Sequence, residues 1–462
     1  MFLQLKDFLG TCIYIYFKKR NLKPTLFLYE SFSPNPPLNI GCREIIEYIQ
    51  AKDDLVTTQQ VQKRNYTAFL VHALFLALTM NFIDINTVVP NMLAESGATS
   101  LHMGILSSIM IGGTSFMQLL FAGIIYPLRR KKPALLAGIY LRVTALITLG
   151  IFLRTLSGAG LWKVWTILGL MTVFSFSGAF ANISYTDILG RTIDPTRRKK
   201  LLTIKQLISS VGVIASAILV KVILSNLTYP NNYSTLFLLA GGLLTLATIG
   251  FWMIKEEDAP IHEKLSLGKR FAAFGQVIKE DKNMRLYLLL INTSGVILST
   301  IPFLILFART KFSINGSLIG TFLLVQMAGS LLTNTLLTFL SKGQRYRKLL
   351  YLFVGLGASI PLVALLASPS PVTFSLVFLL TGSCVALYQI LAPGVLLEIS
   401  TNENRPLYSG LAGAGSIMNI LYPILAGALV AAIGFVAVFI LTSLYILLGF
   451  YAARNIQCDR IH

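Results

Sequence analysis

The sequence predicts an all-α polytopic membrane protein with twelve transmembrane helices in two halves of six. Of its 462 residues, 55% are hydrophobic and only 13% are charged, which is too little charge to cover a soluble protein of this length. Apolar runs of about 20 residues recur from Tyr66 to the C-terminus, and each can cross a hydrocarbon layer of about 30 Å as a helix. Basic residues occur in alternate loops, as they do in proteins whose loop charges set the orientation of the helices.

The formal net charge of +20 raises the alternative of nucleic-acid binding. The Lys and Arg residues lie mostly in short loops between apolar runs, where they orient a membrane protein instead of forming an accessible basic surface. The four cysteines and four histidines show no metal-ligand or redox spacing. We therefore expect a lipid bilayer as the surroundings, and neither nucleic acid, a metal nor a cofactor as a partner.

Residues 1–62 lie outside the repeating pattern. Their one apolar run, residues 9–17, is too short to span a bilayer and ends at a basic cluster, residues 18–20. One interpretation is a poorly ordered N-terminal tail. The other is a misassigned start, although no Met lies between Met1 and Met80, so a start near Lys63 would need a non-AUG codon.

Twelve apolar spans follow, and we number them span 1 to span 12. Their approximate centres are Met80, Thr114, Thr144, Phe174, Val213, Leu244, Val296, Val325, Leu356, Leu380, Met418 and Thr442. The most hydrophilic internal stretch separates the first six spans from the last six. The predicted organisation is a first bundle over 63–254, a cytoplasmic central loop over 255–284 and a second bundle over 285–462.

The loop charges predict the orientation of the chain. The even-numbered connections are rich in Lys and Arg, whereas the odd-numbered connections carry only Arg154, Lys163, Lys221, Arg309 and Lys311. By the positive-inside rule both termini lie in the cytoplasm. We expect an integral protein of the plasma (inner) membrane.

The connection after span 2 contains three residues of a known family motif. Gly123 stands at its start, and Lys131 and Lys132 form its closing basic pair. With the twelve spans, the polar centre and the segments 87–93, 104–106, 118–119 and 132–142, this loop makes residues 66–454 resemble the major facilitator superfamily.

The loop also departs from that family. Pro127, Leu128 and Arg130 stand where the family motif has Asp, Arg and Gly. The resemblance implies a major facilitator fold of two six-helix bundles around a central cavity. It also implies alternation between outward-open and inward-open states, without indicating a branch or a substrate.

Asp84 is the candidate for proton coupling. It lies about 18 residues into a span of roughly 25, and an ionisable side chain inside a span is costly and marks a functional site by default. Asn81, Asp84, Thr87 and Asn91 would share one helix face, which we predict to face the cavity. Asp84 would then exchange a proton or pair with a cationic substrate. The alternative is a structural carboxylate held by its Asn and Thr neighbours.

Polar side chains at helical spacing on other spans predict the wall of the substrate cavity. The alternative for each is helix-to-helix packing through small and amide side chains. The candidates for the cavity are Asn81, Gln118, Asn182, Tyr185, Asn292, Gln326, Gln389 and Asn419.

Arg142 and Asp187 are candidates for a structural ion pair. Arg142 lies inside span 3 and needs a carboxylate, carbonyl groups or water, and Asp187 is the nearest acid in estimated depth. Two other pairings stay open, namely Asp84 for Arg142 and the basic loop 191–200 for Asp187.

These observations predict a secondary active transporter of a small organic solute, working as a monomer by alternating access, with proton coupling through Asp84 as a hypothesis. A membrane enzyme would need a cluster of His, Asp, Glu or Cys near the surface, and the sequence offers none. A non-transporting scaffold or sensor is the alternative. A polar cleft lined by Asn81, Gln118, Asn182, Gln326 and Asn419 would favour the transporter, and a dry interface the scaffold.

Overall fold

The computed structural model describes residues 42–125, 127–155, 160–256, 267–340, 346–401 and 404–457. The chain forms two compact units, Met1–Tyr66 and Thr67–His462. Most of the predicted tail, residues 1–41, lies outside the described residues. The remainder of that tail belongs to a long helix, Cys42–Met80, that also forms most of span 1.

Every regular element among the described residues is a helix. The first half contains Cys42–Met80, Asn81–Ile83, Val88–Glu95, Ser100–Ser107, Ser108–Gly113, Thr114–Ile125, Lys132–Thr155, Leu161–Thr192, Pro195–Asn226 and Asn231–Met253. The second half contains Leu267–Glu280, Lys282–Thr293, Val296–Lys311, Gly316–Leu340, Tyr346–Leu366, Pro371–Ile399, Arg405–Gly415, Met418–Leu447 and Gly449–Asn455. Leu267–Glu280 occupies the segment predicted as a loop, so part of that connection is helical; residues 257–266 lie outside the described residues.

Eleven of the helical segments in the described part of the chain are long and apolar enough to cross a membrane. The last of them, Leu407–Asn455, has 49 residues. At 1.5 Å per residue it would be about 74 Å long, more than twice the hydrocarbon thickness. Gly434, at φ 80° and ψ 170°, interrupts it. Since this backbone conformation reverses a helix and suits only glycine, the segment holds spans 11 and 12.

Several spans are discontinuous near their middle. Span 1 passes from α-helix to one turn of 3₁₀ helix, then to the non-helical turn 84–87, and resumes at Val88–Glu95. Span 2 carries a π-helical segment, Ser108–Gly113, and span 7 is interrupted at residues 294–295. Non-helical backbone at this depth needs side-chain or cavity partners for its polar groups. The breaks therefore indicate positions where the backbone is buried against side chains or lines a cavity.

Two faces of the bundle can be defined by its charged residues. The basic face carries Lys131, Lys132 and Arg191, and the opposite face carries Glu95 and Arg309. In the first half, span 3 packs on spans 4 and 6. In the second half, span 8 packs on span 10, and span 9 packs on span 12. Between the halves, span 2 packs on span 11 and span 5 on span 8.

The contacts between the halves are closest near the opposite face. A Cβ atom on Gly427 would collide with the Ser100 carbonyl oxygen, and one on Gly316 would collide with that of Leu224. Ser100 Oγ donates to the Gly427 carbonyl oxygen at 2.7 Å. Glycine permits this backbone contact because it has no side chain. The halves therefore make close backbone contacts at the opposite face, and we call this set of contacts the seal.

Candidate functional site

A cavity of about 760 Å³ lies between the two halves near the middle of the spans. Its wall includes polar side chains from spans 1, 2, 4, 5, 8 and 10, together with Arg142 of span 3. The apolar part of the wall comes from Met80, Ile83, Ile85, Met110, Ile111, Phe174, Val213, Ile214, Leu298, Met327, Leu331 and Val385. The cavity thus has a wall of mixed polar and apolar character, formed by both halves.

Asp84 lies in the wall of this cavity, at the break in span 1. Its Oδ1 accepts hydrogen bonds from the backbone N–H of Asn86 at 3.0 Å, and from the backbone N–H and hydroxyl of Thr87, both at 2.7 Å. All three bonds fall on one oxygen, and Oδ2 has no partner within the described part of the chain. Asp84 therefore holds the turn before Val88–Glu95 as a helix N-cap does and still presents an oxygen to the cavity.

The predicted single face of span 1 is wrong beyond Asp84. Asn81 and Asp84 line the cavity, whereas Thr87 and Asn91 are fully buried outside it. The helical spacing does not hold because the chain leaves the α-helix at Met80. Asn86, which that spacing excluded, lines the cavity instead.

No ion pair forms between Arg142 and Asp187, so the predicted pairing of these two residues is wrong. Asp187 pairs with Lys131, at 2.9 Å between Nζ and Oδ1, and with Arg191 one helical turn away. Arg142 instead lines the cavity, with its guanidinium carbon 4.2 Å from the centre of the Phe174 ring. Depth estimated from sequence cannot show which way a side chain points around its helix.

Five of the predicted cavity residues line the cavity: Asn81, Gln118, Asn182, Gln326 and Gln389. Asn81 also ties span 1 to span 5, because its Nδ2 donates to the Val213 carbonyl oxygen at 2.6 Å and to Ser216 Oγ at 2.9 Å. Gln326 is 1% exposed, and its Oε1 has no hydrogen-bond partner among the described residues.

The other three, Tyr185, Asn292 and Asn419, lie outside the cavity wall. The Tyr185 hydroxyl accepts from Lys205 Nζ at 2.7 Å, and its ring packs edge-on against Phe69. Asn292 bridges the break in span 11, donating to the Gly415 carbonyl oxygen and accepting from the Met418 N–H. Asn419 is buried at the contact with span 2, since its backbone lies 2.6 Å from a Cβ built on Gly112.

The cavity wall also contains polar residues that sequence reasoning missed. On span 5 they are Gln206 and Ser210, whose spacing of four residues was a readable signal for one helix face. On span 2, Thr114 lines the cavity, and it follows the π-helical segment, which shifts the angular register of the helix. Nothing in the sequence marks that segment.

The family loop is held by a carboxylate from the end of span 6. Glu256 accepts the backbone N–H groups of Lys131 and Lys132, each at 2.8 Å, and pairs with Arg191 at 3.1 Å. Lys131 is 1% exposed. A Cβ on Gly123 would meet nothing within 4 Å. The loop thus ties together spans 3, 4 and 6 of the first half.

A second polar cluster joins the two halves at the opposite face. Arg309 of span 7 donates to Asn91 Oδ1 at 2.8 Å and lies 3.5 Å from Glu95 Oε1. Asn91 Nδ2 donates to Glu95 at 2.8 Å and to the Tyr233 hydroxyl at 2.6 Å. This cluster adds an ion pair between spans 1 and 7 to the glycine contacts of the seal.

Comparisons with known proteins agree with this architecture. The profile of the Major Facilitator Superfamily matches residues 70–308 and 286–455. No curated protein matches the sequence at a significant level.

Similar solved structures include a peptide transporter of the POT family in complex with sulfate, with a TM-score of 0.65 and 11% identity over 86% of this chain and 97% of that one. The nucleoside transporter NupG gives a TM-score of 0.58 and 13% identity over 85% of this chain and 98% of that one. A bacterial homologue of the human lysosomal transporter Spinster, inward-facing and unoccupied, gives 0.58 and 11% over 88% and 98%. At these identities the likeness shows the fold alone.

The helical architecture and the family profile confirm the predicted all-α membrane fold and the resemblance stated from the sequence. The profile covers far more than half of the chain. This integral membrane protein therefore belongs to the major facilitator superfamily, whose members are transporters and not enzymes.

Proposed function

We propose that this chain is a secondary active transporter that moves a small organic solute across the membrane by alternating access. The observation that carries the proposal is the cavity of about 760 Å³ between the halves, which lies beneath a sealed opposite face. Ligand sites typically have volumes of about 300–1,000 Å³. A scaffold needs no such chamber, so the cavity favours the transporter over the scaffold or sensor.

The proposed conformation is inward-facing. The seal at the opposite face consists of glycine contacts and the Glu95–Arg309 ion pair. If the basic face is cytoplasmic, as the loop charges predict, the cavity is closed to the outside. Transport would require this seal to part while the basic-face ends of the two halves approach each other.

The solute would be held by amides and hydroxyls from both halves against an apolar wall. Gln118 and Asn182 contribute from the first half, and Gln326 and Gln389 from the second. Because Gln326 has a buried oxygen without a partner in the described structure, a solute donor there would satisfy it. Because the solute would contact both halves, its binding would favour one arrangement of the halves over the other.

Asp84 is the proposed proton-coupling residue. Its carboxylate combines a structural role at the break in span 1 with an oxygen facing the cavity. A carboxylate whose access to water changes between two states can take up a proton on one side of the membrane and release it on the other. The break would also move this group when the halves rock.

The test replaces Asp84 by Asn, whose side-chain oxygen can still accept the three turn hydrogen bonds. A thermal-stability screen of the purified full chain against metabolites and drugs first identifies a solute. Uptake of that solute into proteoliposomes is then measured with and without a pH gradient. We expect Asp84→Asn to abolish the stimulation by the gradient while solute binding and the melting temperature persist.

Glu280→Gln, an exposed carboxylate outside the spans, is the matched control and should behave as wild type. Full stimulation by the gradient in the Asp84→Asn protein would reject Asp84 as the coupling residue. A wild-type protein that binds solutes but moves none of them in any gradient would reject the transporter.

A further inference from the structure

Arg142 holds its guanidinium in a defined position at the cavity wall. The guanidinium carbon lies 4.2 Å from the centre of the Phe174 ring. Gly178 leaves room for it, because a Cβ on that glycine would lie 3.3 Å from both Cζ and Nε of Arg142. Arg142, Phe174 and Gly178 all line the cavity. The side chain is therefore built into the wall by span 4 and does not reach for a membrane surface.

This guanidinium has no counter-charge among the residues that the structure describes. It makes no hydrogen bond or ion pair with any of them, and its Nε is buried without a partner. Among the described residues that line the cavity, Asp84 is the one carboxylate, and its Oδ1 accepts hydrogen bonds from Asn86 and Thr87. The Phe174 ring offers a cation–π contact, which does not replace a hydrogen-bonded anion.

An unpaired guanidinium within the membrane is costly unless water or a ligand compensates it. Its planar fork of N–H donors fits the paired oxygens of a carboxylate or a phosphate. We propose that Arg142 binds an oxyanion, a carboxylate or phosphate group carried by the solute. Transport of this anion rests on the proposed transport function. Binding of the anion in the cavity does not depend on that function.

The competing explanation is that Arg142 pairs with Asp84 in another state of the protein. The two side chains share the cavity wall, so a rearrangement of the break in span 1 would have to bring them together. In that case Arg142 would serve the conformational change, and loss of its charge would be repaired by loss of the charge on Asp84. The experiment separates the two roles.

The test measures the melting temperature of the purified full chain in detergent, at constant ionic strength, against matched anionic and neutral probes. The carboxylate arm compares benzoate with benzamide, and the phosphate arm compares glycerol phosphate with glycerol. We expect at least one anion to stabilise the wild type while its neutral counterpart does not. In Arg142→Gln the apparent affinity for that anion should fall about ten-fold or more, the loss of a charge-assisted pair.

Arg154→Gln is the matched control, an exposed arginine at the end of the same span, and should keep the wild-type response. If Arg142→Gln does not fold, Arg142→Lys and Gly178→Ala replace it. The first keeps the charge but loses the fork, and the second crowds the guanidinium. Each should weaken the anion response and leave binding of neutral solutes in place.

Three results would overturn the proposal. They are no preference of the wild type for any anion of the panel, an unchanged preference in Arg142→Gln, or restoration of the anion response in the Asp84→Asn, Arg142→Gln double variant. A clear anion response without transport would reject only the transport function, and transport without an anion response would reject only the role of Arg142.

Discussion

At the scale of single residues, Glu256 is a buried carboxylate whose partners lie far away in the sequence. Glu256 ends span 6, yet its two oxygens accept the first N–H groups of span 3 and its carboxylate pairs with Arg191 of span 4. An acidic group at a helix N-terminus is favourable because it complements the helix dipole and satisfies N–H groups. Glu256 thus does for span 3 what Asp84 does for the turn in span 1.

Glu256→Ala should destabilise the protein by about 2–4 kcal/mol, because it removes two charge-assisted hydrogen bonds and an ion pair of a side chain only 3% exposed. Thermal unfolding of the purified protein measures the loss. Glu280→Ala, an exposed glutamate, is the control and should change the free energy of unfolding by less than about 0.5 kcal/mol. Equal melting temperatures for the two variants would contradict the role of Glu256.

Gln326→Leu should separate stability from binding. The substitution removes a buried oxygen that has no partner in the described structure, so we expect an unchanged or higher melting temperature. The same change should weaken binding of a solute found in the screen, because one polar contact from the second half is lost. Thr335→Val on the same span, an exposed hydroxyl, is the control. Undiminished solute affinity in Gln326→Leu would remove this residue from the binding site.

At the scale of elements, the breaks in the spans determine which side chains line the cavity, and the glycines determine how closely the halves approach each other. The break in span 1 and the π-helical segment of span 2 place Asp84 and Thr114 on the cavity wall. The glycines of spans 8 and 11 let the backbones of the two halves touch at the opposite face. Interruptions of the helices thus place polar groups on the cavity wall, while glycines allow close contact between the halves at the opposite face.

Gly427→Val should hold the opposite face open. The added side chain would collide with the backbone of Ser100 and Leu101, and neither position can yield without separating spans 2 and 11. We expect Ile85→Cys, a cavity position, to react faster with an impermeant maleimide from the opposite face in this variant, in a background without the native cysteines. Gly242→Val is the control, because a Cβ there meets nothing within 4 Å. An unchanged reaction rate would contradict the seal.

At the scale of the whole molecule, the two halves meet through contacts that hold one face closed. The Glu95–Arg309 pair links spans 1 and 7 within this seal, with side chains 18% and 29% exposed. Partly exposed ion pairs contribute only about 0.2–1 kcal/mol each, so the pair is suited to bias an equilibrium and not to lock it. The ion pair by itself would therefore oppose the opening of the seal by only a modest free energy.

Glu95→Gln and Arg309→Gln should each raise the labelling rate of Ile85→Cys from the opposite face several-fold, as expected for the loss of about 1 kcal/mol from the closed state. The charge-reversed double variant, Glu95→Arg with Arg309→Glu, should bring the rate back toward wild type. The reference is the labelling rate of Leu331→Cys, another cavity position, from the basic face. That rate should stay unchanged in these variants. Failure of the double variant to restore closure would show that the pair does not act through charge.

The sequence by itself determined the membrane class, the family and the presence of an acid within span 1. The membrane class and the acid depend on the lengths of apolar runs, on loop charge and on the cost of charge in a bilayer, and all three can be read along a chain. The family came from the resemblance of residues 66–454 to a known pattern, including Gly123, Lys131 and Lys132 of the loop after span 2. It also identified Gln118, Asn182 and Gln326 as cavity residues, because regular helices place residues at fixed angular spacing.

Only the tertiary structure decided where that spacing fails and which charges meet. The break at Asp84 turned Thr87 and Asn91 away from the cavity, and the π-helical segment brought Thr114 into it. Asp187 pairs with Lys131 and Arg191, and Arg142 lines the cavity without pairing with Asp187. A helical period fixes the face of a residue only while the helix is regular, and the direction in which each face points is set by packing against helices distant in the sequence.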